Sequence, residues 1–522
     1  MFKNVVTALL TVVALTVLTG CGGKHIGIKE DRPIHKSMTS ESTLYEYCAE
    51  DVAAQAPKSG FYPLENHMDS LAARLMLAKA ANHRITVQYF TFYADDVGTI
   101  LTKALVDAAN RGVKVDVLID DIELADEDGL TAMVNAHPNI TVRVFNPTNS
   151  RGNLHYAEMG LNASTVGRRM HNKSFTADNS MAVYGGRNIG DMYFGLSTDN
   201  FFVDNDMLTV GPLVNDITNE FDIYFSNAYS VDFDYIEKAD KKELAIALKE
   251  KLDALKKDES AEALRNAVKH REITKQFTAK QLPLYFGDAV LLYDMPQKVT
   301  TDINDTSTHI QSKIPQEVRA TKRFHMVSPY FIPTEKMFAR IQTMLDKGVD
   351  VAVLTNSLES SDSTAVYAFY SLSQKKLLEM GVRLYEIHPY AFADAILEQE
   401  YNTLHDMPTA MLHAKTIVID DDFFVIGSVN MDPRSRQLNT ELVTIIKNTE
   451  LNAHEEKVFK RMTAPENAYE LGLEFNDDNS SKIVWKATIG GEEKKFYNDG
   501  DSSTWLHIKK NMSLWFPLED LL

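Results

Sequence analysis

A chain of 522 residues with 44% hydrophobic and 24% charged side chains has a globular balance and is too long for one ordinary core, so two domains with additions are expected. Its formal net charge of -19 excludes a general nucleic-acid binder, because phosphate contacts need clustered Lys and Arg. A local basic pocket remains compatible with it.

Residues 1–20 read as a targeting segment. Lys3 supplies a positive start, and the apolar run from Val5 to Leu18 is short for a membrane span. Thr19 and Gly20 then precede Cys21 in "LTGC", which resembles a bacterial lipobox. That resemblance implies cleavage before Cys21 and a diacylglyceryl group on its sulfur. Gly22 follows where many enterobacterial lipoproteins of the inner membrane carry aspartate, which favours the outer membrane. The expectation is a cell-envelope lipoprotein facing the periplasm, tethered through residues 21–60. No later stretch is apolar enough to span a bilayer. Cys48 is the one other cysteine; with Cys21 lipidated, no intramolecular disulfide is possible.

The body begins at about residue 61. "HRITVQYFTFYADD" from His83 reads as a buried strand and a loop, Thr99 to Asn110 as a helix, and "RGVKVDVLID" from Arg111 as the next strand. Strand–helix–strand order implies a parallel sheet covered by helices. From Tyr235 to about residue 285, helical spacing with mixed charge and no early Gly or Pro predicts a solvated helical connector. The pattern then repeats: "KRFHMVSPYFIPTE" from Lys322 matches the first strand and "KGVDVAVLTN" from Lys347 the second. Gly112 and Gly348 are 236 residues apart, and His171 and His413 are 242 apart. A near-constant offset over several elements marks an internal duplication, with copies at 61–234 and 286–450. The extension 451–522 is polar and closes on the apolar "NMSLWFPLEDLL", expected to pack on the body.

Two motifs carry the chemistry. "RRMHNKSFTADNSMAVYGGRN" holds His171, Lys173, Asp178, Gly185 and Asn188; "LHAKTIVIDDDFFVIGSVN" holds His413, Lys415, Asp420, Gly427 and Asn430 at identical spacing. Positions i and i+2 of a strand share a face, so each His–Lys pair looks into one pocket. Asp178 and Asp420 fall at turn signals, making each motif a hairpin. Metal-free phosphodiester exchange, the reaction implied by the family resemblance given below, needs a nucleophile, a proton donor for the leaving alcohol, and fixed positive charge around the phosphoryl oxygens. Two histidines fill the first two roles if one is neutral while the other is protonated. Lys173, Lys415, Asn188 and Asn430 then cradle the phosphate. Neither a metal-spaced Cys/His cluster nor a nucleotide-binding glycine loop is present, so no metal and no cofactor is expected.

This paired pattern resembles the phospholipase D superfamily, over most of residues 61–450, and its wording is most similar to bacterial cardiolipin synthases. The resemblance implies an α/β fold: a duplicated phospholipase D-like fold with two mixed or parallel sheets, flanked by helices, and one active site at the pseudo-two-fold interface. It implies that His171 attacks to form a phosphohistidine and that His413 protonates the leaving group, with Lys173, Lys415, Asp178 and Asp420 completing the catalytic motifs. Asp178 and Asp420 also have a plainer reading as turn caps. One departure is Gly186 where the second copy has Ser428, so a hydroxyl contact to phosphate is expected from Ser428 alone. Each histidine needs an acid to fix its tautomer; Glu441 in "NTELVTI" and Asp206 in "DNDMLTV" open matching apolar strands, with Asp204 as the rival to Asp206. Arg168, Arg169 and Arg187 are either solvated or bind headgroups.

The function expected is that of a membrane-tethered phosphatidyltransferase making cardiolipin-type lipids, a monomer acting on membrane phospholipids with no nucleic-acid partner. The alternative is a phospholipase D releasing phosphatidic acid. A superfamily nuclease would need a basic groove, and a catalytically dead lipid-binding protein would lack a motif residue; neither feature is seen.

Overall fold

The computed structural model describes residues 42–122, 128–148, 167–236, 240–255, 259–310, 319–392, 408–478 and 480–515. The targeting segment and Cys21 lie outside them. Both copies have the same plan. In the first, the strands Arg84–Tyr89, Lys114–Asp120 and Ile140–Phe145 run parallel; in the second, Arg323–Val327, Asp350–Asn356 and Arg383–Ile387 do so. These strands are buried almost throughout, as expected where helices cover both faces. The leading strand of each trio pairs antiparallel with a motif hairpin: Ser174–Ala177 with Met181–Gly185, and Thr416–Ile419 with Phe423–Gly427.

The repeated glycines have a conformational cause. Gly112 and Gly348 end the helices Asp96–Asn110 and Glu335–Leu345 at φ +98° and +78°, a left-handed position that a Cβ would strain. Neither would meet another atom within 4 Å if given a Cβ. The helix starts are capped by side chains: Asp95 accepts from the Gly98 N–H and Thr334 from the Met337 N–H.

The two sheets are not separate. Ser59–Leu64 pairs antiparallel with Asp206–Val210 on one side and with Tyr285–Tyr293 on the other. This joins both copies into one 18-stranded sheet. Beneath the join, Phe61, Tyr184 and Met207 of one copy pack on Val418, Ile426 and Leu442 of the other, so the halves share a core.

Three segments differ from their expected form. The lead-in is already ordered at Ser42, whose side chain caps the helix Thr43–Ala54; Leu44 and Cys48 are buried in the first core. The connector forms three helices, Lys241–Leu255, Glu259–Lys269 and Glu272–Thr278. Leu248, Leu252, Leu264, Val268 and Ile273 bury an apolar stripe on the first copy's helices, so only its outer face is a solvated connector. The second copy continues past residue 450: the helix Thr449–Met462 and the strand Ala468–Phe475 belong to it, the latter pairing with Arg383–Ile387 as Ser230–Asp232 pairs with Ile140–Phe145. Ser481–Ile489 and Glu492–Phe496 extend that edge. No helix among the described residues is long and apolar enough to cross a membrane.

Candidate active site

His171 and Lys173 stand just before the strand Ser174–Ala177, and His413 and Lys415 just before Thr416–Ile419. What fixes each histidine is the other copy. The His171 backbone N–H donates to the Thr440 carbonyl and the His413 N–H to the Val203 carbonyl, both at 2.8 Å. The residue after each acceptor supplies the acid. His171 Nδ1 donates to Glu441 Oε2 at 2.8 Å, and His413 Nδ1 to Asp204 Oδ2 at 2.6 Å. The crossing segments are tied by a parallel pair, Asn200–Val203 with Thr409–Leu412, and by a bridge between Met170 and Thr440. Neither copy supplies the acid of its own motif histidine.

A carboxylate on Nδ1 makes that nitrogen the N–H donor and leaves the Nε2 lone pair for chemistry. Aromatic edges hold the rings: Phe90 lies 5.1 Å from His171, and Tyr193 and Phe202 lie 5.2 and 4.9 Å from His413. Lys173 Nζ donates to the His171 carbonyl at 2.7 Å, and Lys415 Nζ to the His413 carbonyl, so each cation is anchored beside its histidine. Asn188 donates to the Tyr193 hydroxyl and accepts from the Thr91 N–H. Its counterpart Asn430 keeps a buried Oδ1 without a partner.

Burial and two lysines in one pocket set the protonation states. Burial pushes His171 down to about 4; Glu441 opposes this, and Lys173 and Lys415 add to it. Burial and Lys415 take His413 to about 3 against the pull of Asp204. Both imidazoles are therefore neutral at pH 7 before an anion arrives, not split into one neutral and one charged. The lysines also fall through burial, Lys173 to about 7 and Lys415 to about 8. The acids fall as well, but against their burial: burial would raise Asp204, and His413, Lys415 and Arg187 bring it to about 2. Glu441 is likewise held below its usual value despite burial, by His171 and Lys173. A phosphodiester anion seated among four basic groups would raise all of them, and a role for His413 as proton donor requires that it take up a proton with the anion. Two buried lysines beside two imidazoles make a pocket that can stabilise negative charge on a phosphoryl group. No group of His, Cys, Asp or Glu suited to a metal occurs among the described residues.

Residues 75–225 and 317–463 match the family described as "Cardiolipin synthase, PLD-like domain", one match per copy and both spanning a complete motif. The chain belongs to that family. It is 33% identical to cardiolipin synthase C of Escherichia coli (strain K12), over 89% of this chain and 96% of that one. Cardiolipin synthase A of Pseudomonas entomophila (strain L48) is 25% identical, over 70% of this chain and 60% of that one. The crystal structure of phosphatidylserine synthase from Haemophilus influenzae Rd KW20 superposes with a TM-score of 0.52 at 14% identity, over 82% of this chain and 92% of that one, a likeness of fold. Both halves of the site are complete, and the chain is a phosphatidyltransferase-type enzyme of this family.

Several expected roles move within the family's shared frame. Asp206 does not orient a histidine: its carboxylate accepts from Ser70 Oγ at 2.6 Å and pairs with Arg74 at 3.0 Å. Asp204 takes the role instead. Strand register explains why, because Gly185 pairs with Asp206 and Gly427 with Val443. Two residues before each partner stand Asp204 and Glu441, the true equivalents. Asp178 and Asp420 are turn caps rather than catalytic groups. Asp178 accepts the backbone N–H groups of Asn82, His83 and Arg84, and Asp420 those of Thr321, Lys322 and Arg323. Ser428 is not available to phosphate: its hydroxyl donates to Glu441 Oε2 at 2.5 Å and accepts from the Leu442 N–H. The arginines are buried and structural. Arg168 donates to the carbonyls of Lys298 and Thr301, Arg169 to Asp120 and the Asn146 carbonyl, and Arg187 to the carbonyls of Leu64 and Glu65.

Sequence reasoning missed a second layer. Ser435 Oγ donates to Glu441 Oε1 at 2.5 Å, and Asp294 accepts the Glu441 backbone N–H at 3.0 Å. Asp120 accepts the Met170 N–H at 2.7 Å, and burial pushes its carboxyl up to about 6. Only Ser435 carried a local signal, the "DPRS" helix start that follows Asn430.

Proposed function

We propose that the chain is a membrane-tethered phosphatidyltransferase that makes cardiolipin-type lipids through a phosphohistidine on His171. The observation that carries this reading is the crossed pair of Nδ1-locked histidines, each offering Nε2 beside a buried lysine. In the first step His171 Nε2 bonds to phosphorus. The bond to the leaving alcohol oxygen breaks, and that oxygen takes the proton from His413. In the second step an acceptor hydroxyl gives its proton to His413 and attacks phosphorus, and the bond to His171 breaks. Lys173, Lys415, Asn188 and Asn430 hold the phosphoryl oxygens throughout. A lipid hydroxyl as acceptor gives transfer; water gives phosphatidic acid.

Transfer is supported by the 33% identity to a protein named cardiolipin synthase C along nearly its whole length. The substrate is then a phospholipid, and a diacylglyceryl group on Cys21 would keep the site at a membrane surface. Product partitioning by mass spectrometry tests the reading. Phosphatidylglycerol in vesicles is expected to yield cardiolipin; phosphatidic acid with no cardiolipin across several lipid mixtures would make the enzyme a hydrolase. Cys21→Ser is expected to release the protein from the membrane fraction of the cell envelope.

A further inference from the structure

The last described helix, Thr504–Ser513, has two unlike faces. Its inner face is anchored. Leu506 packs on the second core, and Leu514 just beyond the helix packs on Ile332, Val366 and Phe369. His507 and Lys510 pair with Asp499, which also accepts from the Tyr367 hydroxyl at 3.2 Å. The outer face carries Trp505, Ile508, Lys509 and Met512, and Trp515 follows in the terminal turn. At 100° per residue these five positions fall within about a third of the helix circumference. Trp505 is 60% and Trp515 79% exposed.

Isolated exposed apolar residues are ordinary, whereas a cluster of them is not. Of the thirteen large hydrophobic side chains exposed among the described residues, six lie between Phe475 and Trp515. Besides the three on the helix and Trp515 just beyond it, Phe475 ends the strand Ala468–Phe475 and Tyr497 directly follows the strand Glu492–Phe496. The charge is also unlike that of the rest of the chain. From Phe475 to Trp515 six lysines balance six acids, within a chain of net charge -19. Lys509 Nζ stands 5.5 Å from the Trp505 ring and Lys482 Nζ 4.1 Å from that of Tyr497, placing cations at the border of the apolar surface.

We propose that this face is a bilayer-docking surface: Trp505, Ile508, Met512 and Trp515 insert among the acyl chains at the headgroup boundary, and Lys509 meets anionic phospholipid headgroups. Tryptophan beside lysine suits that boundary, with indole bodies in the apolar layer and ammonium groups reaching the phosphates. Lysines at the border of the apolar surface are what let a strongly acidic protein approach an anionic bilayer there. The surface lies on the second copy's outer edge and gives the enzyme a second attachment besides Cys21. The inference rests on the phospholipid reading of the active site, so its test must be separable from turnover.

The chain supplies its own probe. Its three tryptophans are Trp485, Trp505 and Trp515, and Trp485 is buried at 3% exposure. Full-length protein is mixed with phosphatidylcholine vesicles, with or without phosphatidylglycerol, containing brominated acyl chains. Strong quenching of tryptophan emission is expected, greatest with the anionic lipid. The Trp505→Phe/Trp515→Phe variant, left with Trp485, is expected to show none. Lys509→Glu is expected to weaken quenching on anionic vesicles by about tenfold in the lipid concentration required. Turnover of a soluble short-chain phosphodiester is expected to be unchanged by these substitutions, and absent turnover would count against the active-site reading alone. Unquenched emission on both vesicle types would overturn the proposal. So would quenching that appears only after deletion of residues 516–522, which would make that tail the occupant. A dimer by sedimentation that shields both tryptophans from vesicles would likewise overturn it, in favour of a second copy.

Discussion

The two halves of the active site reach the same contact by different means. In one, His413 meets Asp204, a short acid lying over Gly186; in the other, His171 meets Glu441, one methylene longer, lying over Ser428. Gly186 and Ser428 are equivalent, since the Gly186 N–H donates to the Asn205 carbonyl and the Ser428 N–H to that of Leu442. A Cβ on Gly186 would stand 2.1 Å from Asp204 Oδ1, so the short acid needs the glycine. The longer acid leaves room for a hydroxyl, which Ser428 uses to hold Glu441 Oε2. The copies have drifted as compensated pairs, and the conserved quantity is the histidine–carboxylate contact. The second half binds its acid with more partners, as Ser435 also donates to Glu441.

The largest effect expected from this asymmetry is in the histidines themselves. His171→Ala and His413→Ala each lower turnover of a natural lipid by at least about 10³-fold, because each removes a reacting group. They separate with a substrate whose leaving group is already acidic. There His413→Ala forms an acid-sensitive, alkali-stable phosphoryl label on His171 after denaturing quench, and His171→Ala forms none. A label mapped to His413 would reverse the two roles.

Next comes the exchange of one half's device for the other's. Gly186→Ser drives a Cβ into Asp204 and tilts the carboxylate off His413, with an expected loss of about 10²-fold in kcat. Gly186→Ser/Asp204→Glu copies the Ser428–Glu441 arrangement and is expected to recover much of that loss. A double-mutant coupling of about 1–2 kcal/mol is expected, with thermal unfolding as the check that each variant is folded. Additive losses would show that the acids are not interchangeable devices.

Asp204 is also where the sequence misled. "DMLTV" aligns naturally with "ELVTI", matching Thr209 to Thr444 and Asp206 to Glu441. The sheet register instead pairs Gly185 with Asp206 and Gly427 with Val443. The slip is two residues, which keeps every side chain on its proper face, so alternation could not expose it. The duplication, the parallel strands and the His–Lys pairs were legible because each rests on local spacing. The crossing of acids between copies was not, since it depends on Asn200–Val203 meeting Thr409–Leu412 across the seam, a contact with no local signature. The connector was underestimated for a related reason: its buried stripe, Leu248, Leu252, Leu264 and Val268, is thin against its charge, and the surface it covers is remote in sequence.

The smallest expected effect on catalysis, and the last test of the two halves, is at the turn aspartates. Asp178 is fully buried, and its two oxygens take the Asn82, His83 and Arg84 N–H groups at 2.8–3.0 Å. Asp420 does the same for Thr321, Lys322 and Arg323, but as an incompletely buried cap that water can reach. Both residues have φ near +50°, so asparagine is the informative substitution because it tolerates that conformation. In Asp178→Asn the new amide either faces a backbone N–H or turns away and leaves it unpaired in the core. A loss of about 2–3 kcal/mol in unfolding free energy is expected. In Asp420→Asn water substitutes, and about 1 kcal/mol is expected. Turnover per folded molecule should change less than about twofold in either, since neither carboxylate touches His171 or His413. Denaturant unfolding beside active-site titration measures both quantities. A large fall in kcat with unchanged stability would return these aspartates to the catalytic machinery.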